Sequence, residues 1–367
     1  MTREEFIKMC GILGVGLPLK FSLMSCSSDD KINEPFKGKV VIIGAGAGGL
    51  SAGYLLNQQG VDFEILEASP VYGGRMKINT SFTDFPIPLG AEWLETSTSI
   101  FEEIVNDANT PINIETVKDA PDRKFVNSSW YNFFEQYIVP SIANKIAYNT
   151  TVNAIDYSGD KIVITTQNGQ HTADKVIVAV PLKILQDGDI KFTPTLPQDK
   201  LNAINEAPIW DGFKAFFEFS SNFYGDGFEF NITPASDGQK LYYDASLGQN
   251  TSKHILGLFV VGKPVLDYSS LSKDDLKNFI LNELDNIYSN QATPNYVNHI
   301  SQNWNNEPFI KSGYLSDEAD WRTVRELGKP VANKIHFAGG AYTDGNDWVS
   351  VHTAAQSAKK AVEELSN

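Results

Sequence analysis

Cysteine is nearly missing from this 367-residue chain: Cys10 and Cys26 are the only two, and none follows position 26. The body of the chain therefore holds no disulfide, no cysteine metal site and no thiol nucleophile. Histidine is scarce too. The five present (His171, His254, His299, His336, His352) are scattered without ligand spacing, which reads as surface or packed side chains. Basic residues are outnumbered, with 30 Lys and Arg against 45 Asp and Glu, for a formal charge of −15. That balance argues against a nucleic-acid partner, because phosphate binding needs clustered cations, and it suits a cationic ligand. Internal repeats and low-complexity tracts are absent as well. What remains is 42 % hydrophobic and 20 % charged, an ordinary globular composition long enough for about two domains.

The first 26 residues read as a targeting segment. Arg3 and Lys8 precede an apolar run from Met9 to Leu23, broken by Lys20 and shorter than a membrane span needs. The run ends in Leu23-Met24-Ser25-Cys26, a pattern that resembles a bacterial lipoprotein signal in which Cys26 is lipidated. Residues 27–36 then form a polar linker. The opening residues resemble a twin-arginine export motif with Glu4 in place of the second arginine. The expected location is the bacterial cell envelope, lipid-anchored and facing periplasm or exterior, or the cytoplasm if the leader is only a short helix.

Lys39-Val40-Val41-Ile42-Ile43 is an unbroken apolar run of the kind buried on both faces of a parallel sheet. It runs straight into Gly44-Ala45-Gly46-Ala47-Gly48-Gly49, then a helical stretch from Leu50 to Gln59, a cap at Gly60 and a second strand ending at Glu67. Each glycine has a task in such a unit. Gly44 permits a tight turn, Gly46 lets main chain approach a pyrophosphate, and Gly49 lets helix and strand pack closely. The helix tip offers free N–H groups to phosphate, and Glu67 is placed to accept from a ribose 2′-hydroxyl. Downstream, Gly73-Gly74-Arg75 adds a second glycine pair and a permanent cation, which favours FAD over a nicotinamide dinucleotide.

Residues 39–75 resemble the N-terminal signature of the flavin-containing amine oxidases, a family that includes monoamine, polyamine and L-amino-acid oxidases. Further segments follow in that family's order: Pro88-Leu89-Gly90-Ala91-Glu92-Trp93; Thr151-Val152 through Val178-Ala179-Val180-Pro181; Trp304-Asn305-Asn306-Glu307-Pro308; and Phe337-Ala338-Gly339 with a following helix. The resemblance implies an α/β fold, a Rossmann-like FAD domain interwoven with an α+β substrate domain. The FAD domain is expected over 37–95, 145–190 and 300–367, the substrate domain over 96–144 and 191–299. Beyond the first two glycine clusters (Gly44, Gly46, Gly48, Gly49, Gly73, Gly74), Glu67 and Arg75, the resemblance places Gly90, Ala91, Glu92, Trp93, Val152, Gly339, Gly340, Trp348 and Val349 against FAD. Gly313 stands where some relatives carry a flavin-tethering cysteine, so the FAD is expected to be noncovalent.

Lys214 lies in the apolar run Phe213-Lys214-Ala215-Phe216-Phe217, where a lysine is costly to bury without a partner. On its own it reads as an edge lysine that reaches solvent; the resemblance makes it the lysine that holds a water beside flavin N5. Tyr314 matches one member of an aromatic pair that flanks the substrate amine, and Trp304 a tryptophan packed near the flavin ring. Tyr342 and Trp348 are candidates for the second aromatic. The implied reaction is hydride transfer from an amine or amino acid to flavin N5, imine hydrolysis, and reoxidation by oxygen to hydrogen peroxide. Gly340 departs from the acidic residue usual after Phe-Ala-Gly, with Asp344 or Asp347 as substitutes, and residues 94–151 are short for the family's substrate domain. A dehydrogenase or desaturase with another electron acceptor, or a non-catalytic flavin-binding accessory protein, stay open as alternatives.

Overall fold

Val40 to Ile43 are at most 3 % exposed because the strand they form has a layer on each side. Alternation divides their side chains: Val40 and Ile42 enter one core, Val41 and Ile43 the other. The computed structural model describes residues 35–118, 122–225, 230–235 and 237–366; the leader and nearly all of the linker expected over 1–36 lie outside these. The elements that position the site are β1 (Lys39–Ile43), α1 (Ala47–Gln58), β2 (Asp62–Leu66), α2 (Trp130–Tyr137), β3 (Ile146–Ala147), β4 (Lys175–Val178), β5 (Ile335–Phe337) and α3 (Val351–Glu363). The five strands form one parallel sheet in the order β5-β4-β1-β2-β3.

One face is covered by α1 and α3, which pack on each other through small residues such as Ala52, Ala355 and Ala358. The other face is covered by a four-stranded unit whose hairpin, Ile162–Thr166 with Gly169–Ala173, turns at Gln167-Asn168. A second, antiparallel sheet runs Phe230–Ala235, Gly238–Asp244, His254–Gly262, Gly212–Phe219 and Tyr296–Asn303, in that order. The helix Lys273–Ile287 lies on it, started by Ser272, whose Oγ accepts from Asp275 N at 3.2 Å. Leu276, Ile280 and Leu284 of its apolar stripe are buried, but Phe279 and Ile287 remain 38 % exposed. The stripe is wider than the face the sheet can cover.

Segment 96–144 differs from the expected allotment to the substrate side. Ile100, Phe101, Trp130, Phe133 and Phe134 share one core with Leu50, Phe63 and Ile65, so α2 and the helix Ser99–Val105 complete the parallel-sheet layer. The strand Tyr296–Asn303 likewise crosses the expected boundary at 300 and pairs within the antiparallel sheet.

His336, on the edge strand β5, is 1 % exposed, and neither ring nitrogen has a hydrogen-bond partner; Glu364 Oε2 lies 4.0 Å from Nδ1. Burial, helped by Lys175, holds its pKa down at about 4, against 6.5 when unfolded. The folded chain keeps this imidazole neutral while the unfolded chain protonates it, so stability present above pH 6.5 drains away as pH falls through about 4. The expected loss between pH 7 and pH 4 from this residue is about 3 kcal/mol. Urea melts of wild type and His336→Leu across that range check it: the variant should show the shallower decline.

Candidate active site

The turn after β1 opens as the glycines require. Gly44 has φ +101°, and its N–H donates to Leu66 O at 2.8 Å. Leu50 N–H donates to Gly46 O (2.9 Å) as the first bond of α1, leaving the N–H groups of Ala47, Gly48 and Gly49 without an intrahelical partner. A methyl group on Gly46 would meet nothing within 4 Å, whereas one on Gly49 would sit 1.9 Å from Gly44 O. Gly46 faces open space and Gly49 faces main chain. The second glycine pair closes over the first: Gly73 N donates to Ala45 O at 2.8 Å, and Gly74 stands against Gly46 Cα. Gly48 packs on Ala338 and Gly339, so the C-terminal strand motif joins the same cradle. An open, N–H-lined hollow between two glycine turns fits a dinucleotide pyrophosphate.

Glu67 is more occupied than expected. Its two carboxylate oxygens accept from Ala45 N (2.6 Å) and Ser69 N (2.8 Å), so it braces the glycine turn, and its remaining lone pairs are what a ribose hydroxyl would use. Arg75 reaches away from the turn to donate to Gly313 O at 2.5 Å, and burial pulls its pKa below the ordinary value. It bridges the cradle to the strand that carries Tyr314. The side chain of Val152 is buried in the core, which leaves its main chain alone to meet a ligand.

Arg75, Ser312, Tyr314, Gly340 and Val349 line a small recess. Trp304 lies behind it, its Nε1 donating to Leu89 O (3.0 Å) and its ring edge against Gly90. The aromatic neighbour of Tyr314 is Trp210, edge-on with centroids 6.0 Å apart, and neither of the two expected candidates. Tyr342 is buried with its hydroxyl donating to Val180 O, and Trp348 donates to Ser316 O at 3.1 Å. Val349 adopts φ +77°, a conformation costing a β-branched residue about 1–3 kcal/mol, held by its N–H bond to Gly340 O. The missing acidic residue at 340 has a physical counterpart: Gly340 lies against the main chain of Val349, leaving a side chain little room. Asp344 and Asp347 do not take its place; Asp344 caps its own turn and Asp347 turns toward His352.

Lys214 departs most from expectation. It is 2 % exposed, and its ammonium donates to Pro88 O (3.1 Å), Gly90 O (3.0 Å) and Glu92 Oε2 (2.5 Å). Three N–H groups meet three protein acceptors, which leaves none to hold a water. Trp93, Phe216 and Tyr243 surround it at 5.0–5.8 Å. Tyr243 donates to the same Glu92 oxygen at 2.5 Å. Lys214 therefore ties the antiparallel sheet to the Pro88–Trp93 segment, and Glu92 serves as its counterion, with one carboxylate oxygen committed to two protein donors.

At the mouth, sequence reasoning misses three residues: Trp210, Glu95 and Asp317. His352 is 6 % exposed, with Nδ1 unpartnered and 3.9 Å from Glu95 Oε2, and Nε2 3.7 Å from Asp347 Oδ2. The recessed setting of Glu95, then Asp122, Asp347 and Asp317, raise its pKa to about 7; 42 % of the side chain stays open, so solvent screens part of that shift. Burial first, then Asp317 and Glu95, push the Tyr314 phenol well up. Glu95 lies two residues past Trp93 and Asp317 three past Tyr314, so a net charge of −15 was the available signal to look there.

A sequence profile described as Flavin containing amine oxidoreductase matches residues 131–366. The chain belongs to that family. A second profile, NAD(P)-binding Rossmann-like domain, matches residues 42–107. Among curated proteins, polyamine oxidase 2 of Arabidopsis thaliana is 29 % identical over 223 residues, 60 % of this chain and 44 % of its own length. Lysine-specific histone demethylase 1B of Mus musculus is 28 % identical over 203 residues, 53 % of this chain and 25 % of that one. The matches thus span less than half of these relatives. A solved structure of wild-type putrescine oxidase bound to putrescine superposes with TM-score 0.70 at 15 % identity, covering 90 % of this chain and 99 % of the other. A redesigned triple mutant of that enzyme superposes at 0.73, with 14 % identity and coverage of 90 % and 98 %. Both superpositions show that the chain shares the fold of those structures.

Proposed function

We propose that this chain binds FAD noncovalently and oxidises a small amine that carries a second positive charge. The observation that carries the substrate reading is the acidic mouth, where Glu95, Asp317 and Asp347 gather beside Tyr314 and His352. A structural neighbour solved with bound putrescine, a diamine, agrees with it. FAD, when bound, supplies the hydride-accepting chemistry. The residues of the chain do the rest. The N–H groups of Ala47 to Gly49 hold the pyrophosphate, Glu67 a ribose, and Trp304 the wall behind Gly90. Tyr314 and Trp210 present ring faces to an ammonium group, and the mouth carboxylates hold a distal one.

Anaerobic mixing of the purified yellow protein with monoamines, diamines and amino acids tests this: diamines should bleach the visible flavin band fastest. Glu95→Gln is expected to raise the diamine KM about fivefold, the weight of one partly exposed ion pair, with little change for monoamines. Because the wild-type carboxylate has its pKa raised toward 7, the diamine KM should fall as pH climbs from the ordinary carboxylate range toward neutrality in wild type and stay flat in the variant. Equal effects on mono- and diamines would remove Glu95 from recognition.

Oxygen is the electron acceptor that the resemblance implies. Lys214 favours a second reading, a dehydrogenase using another acceptor. A buried cation aids oxygen reduction by stabilising developing negative charge, and here Glu92 already neutralises it. Hydrogen peroxide formed per amine consumed separates the two: near one for an oxidase, near zero for a dehydrogenase.

A further inference from the structure

Three tyrosines from three separate segments converge beside the glycine cradle. Tyr72 immediately precedes Gly73, Tyr131 is the second residue of α2, and Tyr148 follows β3 directly. The rings of Tyr72 and Tyr131 are parallel to within 4°, with centroids 5.1 Å apart. Gly73, at φ +108°, is pressed against the Tyr131 ring: an added methyl would lie 3.0 Å from Cδ2. Tyr148 belongs to the stretch clamped to Glu67, since Glu67 N donates to Ala147 O (2.9 Å) and Thr150 N to Glu67 O (2.8 Å). Tyr72 and Tyr148 both interact with Tyr131, and Tyr148 also feels the charge on Glu67. All three are half-buried and rest on the core shared by α1, α2 and the parallel sheet.

The topology says what this wall faces. Ligands of open parallel sheets lie at the carboxyl ends of the strands. The pyrophosphate cradle follows β1, the ribose acceptor Glu67 follows β2, and Tyr148 follows β3, one strand further out. Arg75, Trp304 and Tyr314 lie toward the recess and the antiparallel sheet, where the redox ring belongs. A dinucleotide held at the β1 turn therefore sends its other ring system over β2 and β3. Parallel rings with polar rims suit that cargo, because a purine offers a π face to stack and ring nitrogens to hydrogen-bond.

We propose that Tyr72, Tyr131 and Tyr148 form the aromatic platform for the adenine of FAD, and that this platform makes the chain select FAD over flavins that lack adenosine. This rests on the FAD reading above. It also gives α2, read in sequence as part of the substrate side, the task of closing the adenosine end of the groove.

Calorimetric titration of the full chain, stripped of flavin, with FAD, FMN and ADP tests the platform. Tyr72→Ala/Tyr131→Ala should weaken FAD and ADP about 10- to 100-fold, the effect of losing a stacking partner for one base, and move FMN less than about threefold. Tyr72→Phe/Tyr131→Phe should keep FAD within about threefold, because the ring faces survive. Tyr148→Ala, which leaves α2 untouched, should weaken FAD and ADP in the same direction, and thermal melts of each apo variant confirm folding. Wild-type FAD affinity in both alanine variants, or equal weakening of FMN, overturns the platform and leaves FAD binding standing. A wild-type chain that takes up no flavin overturns both.

Discussion

Replacing Glu92 with glutamine should destabilise the protein by about 3–5 kcal/mol, the usual consequence of stripping a buried ion of its counterion. Glu92 is 5 % exposed and one of its oxygens serves two donors, Lys214 Nζ and Tyr243 OH, each at 2.5 Å. In wild type, burial lowers the Lys214 pKa and the charge of Glu92 pulls it back up. Without that charge only the lowering remains. The folded-state lysine then ionises well below the 10.5 of the unfolded chain, so the deficit of the variant is largest at neutral pH and shrinks as pH climbs toward 10.5. The paired change Glu92→Gln/Lys214→Met should recover most of the loss, because an apolar replacement of both partners leaves no stranded charge. Urea unfolding of the two single variants and the double at pH 7 and pH 9.5 measures the coupling. Losses that simply add, within about 0.5 kcal/mol, would mean that the two side chains do not act as a pair.

This pairing also marks where sequence reading stops. The β1 run, its glycine turn and the acidic end of β2 were legible because every constraint is local: burial on both faces, a positive φ at Gly44, a helix tip within a few residues. Lys214 was legible as an anomaly, a cation inside an apolar strand, but its partner lies 122 residues away. Glu92 was accordingly read as a cofactor contact from its place in a motif. Trp210 escaped for the same reason, since it meets Tyr314 only when the short strands Ile209–Trp210 and Tyr314–Leu315 pair. Segment 130–137 shows a third limit. Its aromatic face, Trp130, Phe133 and Phe134, declares that the helix is buried and is silent on which layer buries it.

The glycines of the first turn make different demands, and two alanine substitutions should separate them. Gly49→Ala places a methyl 1.9 Å from Gly44 O, main chain against main chain, with Ile42 Cγ2 at 3.3 Å behind it. Gly44 cannot yield, because its left-handed φ and its own close approach to Ala179 O lock it between β1 and β4. The start of α1 must move instead, at a cost of at least about 1–3 kcal/mol, so this variant should both melt early and bind little FAD. Gly46→Ala is the informative one. Its φ of −79° and ψ of −173° suit alanine, and the methyl meets no protein atom within 4 Å. The apo variant should therefore melt within a few degrees of wild type. FAD affinity should nevertheless fall about 100-fold or more, because the space that the methyl enters is the approach of the pyrophosphate to the helix N–H groups. Melts of the apo proteins, set beside FAD titrations, distinguish the two effects. A Gly46→Ala protein that still takes up FAD with wild-type affinity would place the diphosphate elsewhere, and with it the flavin that the recess beside Tyr314 is proposed to serve.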